Sequence, residues 1–312
     1  MEFYLSNIPF NPSRSYHFRQ KDFDKILGAN FVRLSALSAE NSFDTLVENY
    51  FEFERDCVDV AHRVLVSFCR EDIVIHRYQL LLNRRLMNIM TAAKSYQDHL
   101  NKCLKEILGE KGKYSKLYNE MWSNLNRLSP QFRAMNCLRN YIQHYEFPVH
   151  GYSHSVAWNM KDGKKDAMKV NINLRVNVDN LLKDDKFRKD ADGDVLYCLK
   201  SQSLSTIIST YVENIWSLHS EFRKKTNGFV LSSDVIVNEV FEFFGKSFNI
   251  ENVDALAIYE IDDDGRISRQ ENMFRRVEEI RKHLYKKNSY LGSISRAYVV
   301  TKIFDEQESA LT

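Results

Sequence analysis

The sequence predicts a mainly α-helical protein with a β-hairpin and a mixed, mostly helical C-terminal part. Among its 312 residues only 10 are Gly and 4 are Pro, so the residues that interrupt helices are sparse. Long amphipathic runs lie between them, which favours long helices over a sandwich of many short strands. Because 44% of the residues are hydrophobic, the chain can bury a substantial core.

Charge and cysteine content limit the partners and the compartment that we expect. The 44 basic side chains nearly balance the 42 acidic ones, and a net charge of +2 argues against non-specific coating of nucleic acid. A local basic groove remains compatible with this balance. The five cysteines contain no C-x-x-C pair, which is typical of reduced core cysteines. Because neither a signal peptide nor a membrane-spanning run is recognised, we expect a soluble, cytoplasmic protein without a membrane partner.

The first part of the chain is predicted to divide into an arm and a bundle. Residues 1–41 are expected to form an extended arm with a short strand or helix, and residues 42–147 an antiparallel helical bundle. In the bundle, Ser129 and Pro130 provide an N-cap followed by proline at the first helical position, and Pro148 requires the last helix to stop. The predicted helices cover residues 42–69, 71–108, 113–126 and 129–146.

Residues 148–312 are predicted to form a β-hairpin and a mostly helical elaboration on the same core. Residues 155–160 and 168–178 are strand-like, the second with clean alternation of apolar and polar side chains, and they flank a turn at 161–164. A charged stretch at 183–194 is expected to be a loop or short helix. Further on, helices are expected over 199–226, 230–249, 268–287 and 293–304, with a strand at 254–261 and an acidic, solvated turn at 262–265.

The segment from Leu138 to His144 holds the strongest candidate for chemistry. Arg139 and Gln143 lie four residues apart, as do Asn140 and His144, so four polar groups cluster on about one and a half turns of a helix. Histidine can transfer protons near neutral pH, and a positioned arginine can stabilise the charge that develops on a phosphate. In RNA the ribose 2′-hydroxyl provides the nucleophile. The combination therefore suits RNA cleavage without a metal.

Arg139-Asn140, followed by three residues and His144, resembles the R-x(4–6)-H motif of HEPN domains. That family carries the motif on a late helix of an antiparallel bundle, often with a polar residue in its second position. The resemblance covers residues 42–147. It implies catalytic roles for Arg139 and His144, with Asn140 orienting one of them. It also implies a metal-independent endoribonuclease that needs no cofactor and acts on RNA as a homodimer. Such enzymes occur in toxin–antitoxin and phage-defence systems, so an antitoxin or another defence protein is a further candidate partner.

Context distinguishes Arg139 from other matches to the same spacing. The motif's neighbours, its proline-capped helix and its place in the helix order favour Arg139. One departure concerns the family members that have a nucleotidyltransferase antitoxin: they carry Tyr two residues after the His, whereas here Tyr145 follows directly and Glu146 occupies that place. The spacing recurs, in stretches that we interpret as surface charges or core-edge histidines, at Arg55 and His62, Arg70 and His76, and Arg276 and His283.

Further residues are candidates for binding rather than catalysis. Gln143, Tyr145 and His150 are weaker candidates for substrate contacts. His150 and His154 have a spacing that could hold a metal on a helix, but Gly151 argues against a helix there, and no metal site is predicted. Four basic runs are candidate phosphate contacts, with solvated helix faces as the alternative: Arg84-Arg85, Arg223-Lys224-Lys225, Arg275-Arg276 and Lys286-Lys287.

A second hypothesis keeps the fold and drops the catalysis. In a non-catalytic HEPN-like module, Arg139, Asn140 and His144 would form a buried polar network at a dimer interface, or the C-terminal part would sense a small ligand. Loss of dimerisation or folding in variants of these residues, without nuclease activity in any form, would favour this alternative.

Overall fold

A computed structural model describes residues 1–67, 72–109, 113–161 and 164–297. Helices account for 73% of the residues and strands for 12%, which confirms the predicted mainly α fold with a β-hairpin. None of the helices in these ranges has an apolar stretch long enough to cross a membrane.

The helices of the described residues include two of more than 40 residues. In chain order they are α1 (Gln20–Ser67), α2 (Asp72–Leu108), α3 (Lys113–Leu128), α4 (Pro130–His144), α5 (Val178–Leu181), α6 (Asp185–Asp190), α7 (Gly193–Ser201), α8 (Leu204–Phe248) and α9 (Val277–Lys287). Short 3-10 helices cover Pro12–Arg14 and Leu291–Arg296.

The strands form two separate antiparallel sheets. A four-stranded sheet has the order β2-β1-β5-β6, and a two-stranded hairpin pairs β3 with β4. The hairpin register runs from Gly151 opposite Arg175 to Lys161 opposite Lys164, and the rest of its predicted turn lies outside the described residues. The strands are β1 (Glu2–Ser6), β2 (Ser15–Phe18), β3 (Gly151–Lys161), β4 (Lys164–Arg175), β5 (Ala255–Ile261) and β6 (Ile267–Phe274).

The chain divides into two compact units, each assembled from three segments. The sheet unit comprises Met1–Glu48, Thr91–Leu125 and Ser217–Ser289, and it contains the four-stranded sheet. The hairpin unit comprises Asn49–Met90, Asn126–Trp216 and Tyr290–Thr312, and it contains α4 to α7 and the hairpin. Helices α1, α2, α3 and α8 contribute residues to both units. The predicted division into residues 1–41, 42–147 and 148–312 stays a prediction.

The core of the sheet unit forms where one face of the four-stranded sheet packs on helices. Leu5 of β1, Ile258 of β5 and Met273 of β6 are buried together with Phe23 of α1 and Phe244 of α8. Burial of one face is the usual way in which an antiparallel sheet joins a core. Apolar burial of this kind contributes about 25 cal/mol per Å² and is the main force that holds the unit together.

The predicted start of a helix near residue 42 is wrong, because α1 begins at Gln20. Phe23, Ile26, Asn30 and Arg33 are buried at helical spacing. Two of them are polar, so in the sequence this face looks like a solvated one. Their partners lie far along the chain: the Asn30 amide donates to the carbonyl of Asn272 over 3.0 Å. Long-range pairing of polar groups thus hides the start of α1 from local pattern reading.

Three other predictions in the C-terminal half also need correction. The two helices expected at 199–226 and 230–249 are mostly one, α8, which starts after the separate helix α7. The first part of the helix expected at 268–287 is strand β6, because it pairs along its length with β5 across the turn at 262–265. Of the last predicted helix, at 293–304, the described residues 293–296 belong to a 3-10 helix, and residues 298–304 lie outside the described residues.

Two buried arginine–carboxylate contacts link helices within the sheet unit. The fully buried Arg33 donates from Nε to Asp234 over 3.0 Å, and Arg281 donates to the other oxygen of the same carboxylate. Arg33 also donates to the carbonyl of Arg275 over 3.5 Å. Because a buried charge is costly unless it is paired, these contacts fix α1, α8 and α9 of this unit in one arrangement.

A second buried network joins α1, α2 and α8 in the sheet unit. The Tyr96 hydroxyl lies 2.9 Å from Nδ1 of His219, and Nε2 of His219 lies 3.2 Å from a carboxylate oxygen of Glu40. Arg223 donates to both oxygens of Glu40, over 2.7 and 2.5 Å. Burial raises the pKa of Glu40, but the charges and hydrogen bonds of its partners outweigh burial and hold that pKa at about 2. Burial lowers the pKa of His219, and Glu40 opposes this shift.

The lowered pKa of His219 predicts a specific dependence of stability on pH. The unfolded histidine, with its usual pKa of 6.5, binds a proton before the folded one does, so stability falls as pH decreases below 6.5. This residue can account for up to about 1.4 kcal/mol per pH unit. Urea unfolding of the wild type and of His219→Gln between about pH 7.5 and about pH 5.5 measures the effect.

In His219→Gln this part of the pH dependence should be missing. The exposed His283 provides a matched control, and His283→Gln should follow the wild type at every pH. Identical pH profiles for the wild type and His219→Gln would contradict the buried, neutral state of His219.

Candidate functional site

The ends of α4 follow the local signals that predicted them. The Ser129 side chain accepts a hydrogen bond from the Phe132 amide over 3.1 Å, and Pro130 is the first helical residue. At the other end, the Tyr145 amide donates to the carbonyl of Tyr141 over 2.8 Å, and His144 is the last helical residue. The helix therefore covers most of the 129–146 range that the sequence predicts.

One face of α4 is buried within the hairpin unit. Phe132 stacks on Tyr211 of α8 with ring centroids 5.2 Å apart, and Tyr141 contacts the ring of Phe187 of α6 at 5.9 Å. The helix also contacts α7. This packing fixes the rotation of α4 about its axis, so it determines which of the polar side chains face inward and which reach the surface.

The two arginines of α4 differ in their partners. Arg133 lies 3.0 Å from carboxylate oxygens of both Asp192 and Asp194. Arg139 has no ion pair with any of the residues that the structure describes. Its Nη2 donates to the side-chain oxygen of Asn140 over 3.2 Å, and its Nε is buried without a hydrogen-bond partner in the described part of the chain.

Arg139 is half-buried, and its charge acts on the interior of the hairpin unit. Burial raises the pKa of the Tyr211 hydroxyl, and the positive charge of Arg139 opposes this rise. A buried hydroxyl therefore lies within electrostatic reach of the guanidinium. Arg139 is held by Asn140 on its own helix, and no carboxylate of the described residues pairs with it.

His144 lies at the exposed end of the same helix. Gln143 and Tyr145 on either side are exposed too. Five residues of α-helix separate Arg139 from His144 by about 140° and by a rise of about 7.5 Å. Within the described residues, no hydrogen bond joins them. One chain thus brings Arg139 and Asn140 together and presents His144 separately, and the catalytic roles of all three stay predictions.

His150 lies beside a cleft of about 670 Å³ in the hairpin unit, also lined by Tyr152, Arg175 and Lys200. Its Nδ1 accepts a hydrogen bond from the backbone amide of Asn177 over 3.2 Å, which places the proton of the neutral ring on Nε2. Nε2 is buried and has no partner among the described residues. His150 therefore has a spare donor, which fits the predicted role in substrate contact without testing it.

The described residues contain no group of three or more His, Cys, Asp or Glu arranged to hold a metal ion. The side chain of His154, the second member of the histidine pair considered above, lies outside the described residues. The described cysteines are free, and Cys103, Cys137 and Cys198 are buried, as expected of core cysteines.

Asn83 positions the chain between α4 and the hairpin, and sequence reasoning missed it. Its amide donates to the carbonyl of Val149 over 3.0 Å and accepts from the amide of the same residue over 3.1 Å. Gln79 adds a hydrogen bond to that carbonyl over 2.8 Å. The signal in the sequence is an asparagine between Leu82 and Leu86 on the apolar face of α2, where a buried amide needs a partner.

The candidate phosphate contacts fall into two groups. Arg85 pairs with Glu52 and with Asp56, and Arg223 pairs with Glu40, so both arginines are held in ion pairs. Arg84, by contrast, is exposed and lines a cleft. Lys224, Arg276 and Lys286 are exposed as well. The exposed Lys225 and Lys287 form ion pairs, Lys225 with Glu221 and Lys287 with Asp44 and Glu48.

The motif matches considered and set aside in the sequence lie on the surface where the structure describes them. Arg55, His62, Arg276 and His283 are exposed, and Arg70 lies outside the described residues.

Comparisons with protein-family models, with curated proteins and with solved structures each find no match for this chain. The HEPN resemblance therefore rests on the motif and on the helix that carries it.

Replacing Asn83 by Ala should lower the free energy of unfolding by about 1–3 kcal/mol, because the amide and the carbonyl of Val149 would lose buried hydrogen bonds. Urea unfolding measures the change. Asn126→Ala, at an exposed position of the same unit, is the control and should change stability by less than about 0.5 kcal/mol. Equal stability of Asn83→Ala and the wild type would show that these hydrogen bonds do not hold the segment.

Proposed function

We propose that this protein is a HEPN-like, metal-independent endoribonuclease in which Arg139 and His144 carry the chemistry and Asn140 positions Arg139. One observation carries the proposal: a half-buried guanidinium that pairs with no carboxylate of the described residues precedes an exposed histidine by little more than one turn, on a helix with fixed ends.

Arg139 is suited to bind an anion. A guanidinium is always charged and offers donors in a planar fork that matches two oxygens of a phosphate. The other arginine of α4, Arg133, forms ion pairs with Asp192 and Asp194. Since a partly buried charge and a buried N–H without a partner are both unfavourable, an anionic ligand at Arg139 would relieve both.

His144 would move the protons of the reaction. As a base, it would take the proton of the ribose 2′-hydroxyl, whose oxygen then forms a bond to phosphorus. The bond from phosphorus to the 5′-oxygen breaks, and that oxygen leaves with a proton. Arg139 would stabilise the negative charge on the phosphorane between these steps. The products would carry a 2′,3′-cyclic phosphate and a 5′-hydroxyl, without any oxidation or reduction.

The proposal includes a homodimer. Because Arg139 and His144 are about 140° apart on α4, the proposal has them meet across a homodimer, as in the family it resembles. Tyr145 and Phe147, one and three residues after His144, are 55% and 43% exposed and provide apolar surface for such contact. Gln143 and His150 would then contact the RNA, and an antitoxin or another defence-system partner would act by covering this surface.

The exposed Tyr145 and Phe147 also favour the second candidate function, a non-catalytic dimeric interaction module. In this module, the end of α4 would form the interface, and Arg139 with Asn140 would provide a polar contact across it. The two functions share the dimer and differ only in whether RNA is cleaved.

RNA cleavage in the presence of EDTA tests the proposal. We expect the wild type to cleave, and Arg139→Ala and His144→Ala each to lose activity by about 100-fold or more. Lys189→Ala, which removes an exposed positive charge from α6 of the same unit, should cleave like the wild type. Circular dichroism verifies that each variant is folded.

Equal cleavage by all four proteins would rule out these catalytic roles. A wild type that cleaves no RNA, together with variants that no longer dimerise, would identify the interaction module instead.

A further inference from the structure

A second cleft of about 420 Å³ lies in the hairpin unit where α1 and α2 approach. Three arginines line it: Arg63 from α1, and Arg77 and Arg84 from α2. One acidic residue, Asp59, lines the cleft as well. Among the described residues, the lining therefore carries three positive charges against one negative charge, although the chain as a whole is nearly neutral. A concave surface of one sign concentrates ions of the opposite sign.

Two of the three arginines keep their charges available. Nε of Arg63 lies 2.7 Å from a carboxylate oxygen of Asp59, which is on the preceding turn of α1. Arg77 and Arg84 are exposed, and neither forms an ion pair with a residue in the described part of the chain. Their neighbour Arg85 behaves differently, because it faces α1 and pairs with Glu52 and Asp56. Of these adjacent arginines on α2, Arg85 thus holds α2 to α1, whereas Arg84 lines an open cleft.

The spacing of Arg77 and Arg84 favours a ligand with several negative groups. They are seven residues apart, which places them on one face of α2 and about 10.5 Å apart along its axis. A single small anion could not contact both guanidiniums, so at least one of them would lack an anionic partner. A strand with successive phosphates can meet both at once.

The remaining lining favours a nucleic acid strand over an acidic peptide. Tyr78 is half-buried beside Arg77, and its ring is held by an edge contact with Tyr152 at 6.3 Å between centroids. Leu80 is 44% exposed in the same cleft. Basic groups along the backbone, with an aromatic face on which a base stacks, are the usual means of binding single strands without sequence preference.

We propose that this cleft binds the backbone of single-stranded RNA, with Arg77 and Arg84 on phosphates and Tyr78 against a base. The choice of RNA over DNA rests on the proposed function, whereas the binding of a single strand rests on the cleft alone. Neither Arg139 nor His144 lines this cleft, so it is a binding site additional to the catalytic one.

Fluorescence anisotropy with a labelled strand of about 12 nucleotides, 2′-O-methylated at every ribose, tests binding separately from cleavage. We expect Arg77→Ala/Arg84→Ala to bind at least about tenfold more weakly than the wild type. Its plot of log affinity against log salt concentration should be shallower by about 1.4, because each phosphate contact on a single strand contributes about 0.7. Arg296→Ala, at an exposed arginine outside the cleft, should match the wild type.

Variants of Tyr78 test the stacking contact. Tyr78→Ala should weaken binding by about fivefold or more, and Tyr78→Phe, which keeps the aromatic face, should restore it. If the phenylalanine variant binds as weakly as the alanine variant, the ring does not act by stacking.

Unchanged affinity and salt slope in Arg77→Ala/Arg84→Ala would overturn the proposal. So would equally strong competition by a poly-glutamate of the same length or by inorganic phosphate, since either shows a general anion site. Because the methylated strand has no free 2′-hydroxyl, the two proposals fail separately. A protein that binds it but cleaves no RNA contradicts only the proposed function. A protein that cleaves RNA, with a double variant that binds the methylated strand as tightly as the wild type, contradicts only the proposal that the cleft binds RNA.

Discussion

Hydrogen bonds at both ends hold α4 in place, and the positions of the candidate residues depend on them. At its start, Ser129 caps the helix and accepts a hydrogen bond from the Asn214 amide over 2.7 Å. Just beyond its end, the buried side-chain amide of Asn83 forms hydrogen bonds with both the backbone N–H and the carbonyl of Val149. With the ends fixed and one face packed, helix geometry places Arg139 at the half-buried edge and His144 at the surface.

Local signals were enough to predict α4, the hairpin and the helical character of the chain. Ser129 and Pro130 mark a helix start that needs no tertiary information, and clean alternation marks β4. Strand β6 was predicted as part of a helix, although it pairs with β5 across a short turn. Strand β1 could not be placed from local signals, because its pairing with β5 joins the two ends of the chain. The same limit hid the start of α1: Asn30 and Arg33 look like solvent-facing residues until partners more than 200 residues away surround them.

For the candidate site, the sequence indicates which residues to consider and not their electrostatic state. Arg133 and Arg139 look alike on α4, and only the tertiary structure shows that the first is paired with Asp192 and Asp194. Arg84 and Arg85 on α2 show the same contrast. Paired arginines stabilise the fold, and those without a carboxylate partner can bind a ligand. A net charge of +2 conceals this division, since binding depends on where the free charges lie.

The ends of the RNA fragments test the central claim most directly. If His144 and Arg139 promote attack by the ribose 2′-hydroxyl, mass spectrometry of a cleaved oligoribonucleotide should show 2′,3′-cyclic phosphate and 5′-hydroxyl ends. A strand with a single 2′-deoxy nucleotide at the cleavage position should stay intact. Fragments with 3′-hydroxyl and 5′-phosphate ends, or cleavage of the 2′-deoxy strand, would show that water attacks the phosphate and would contradict the account.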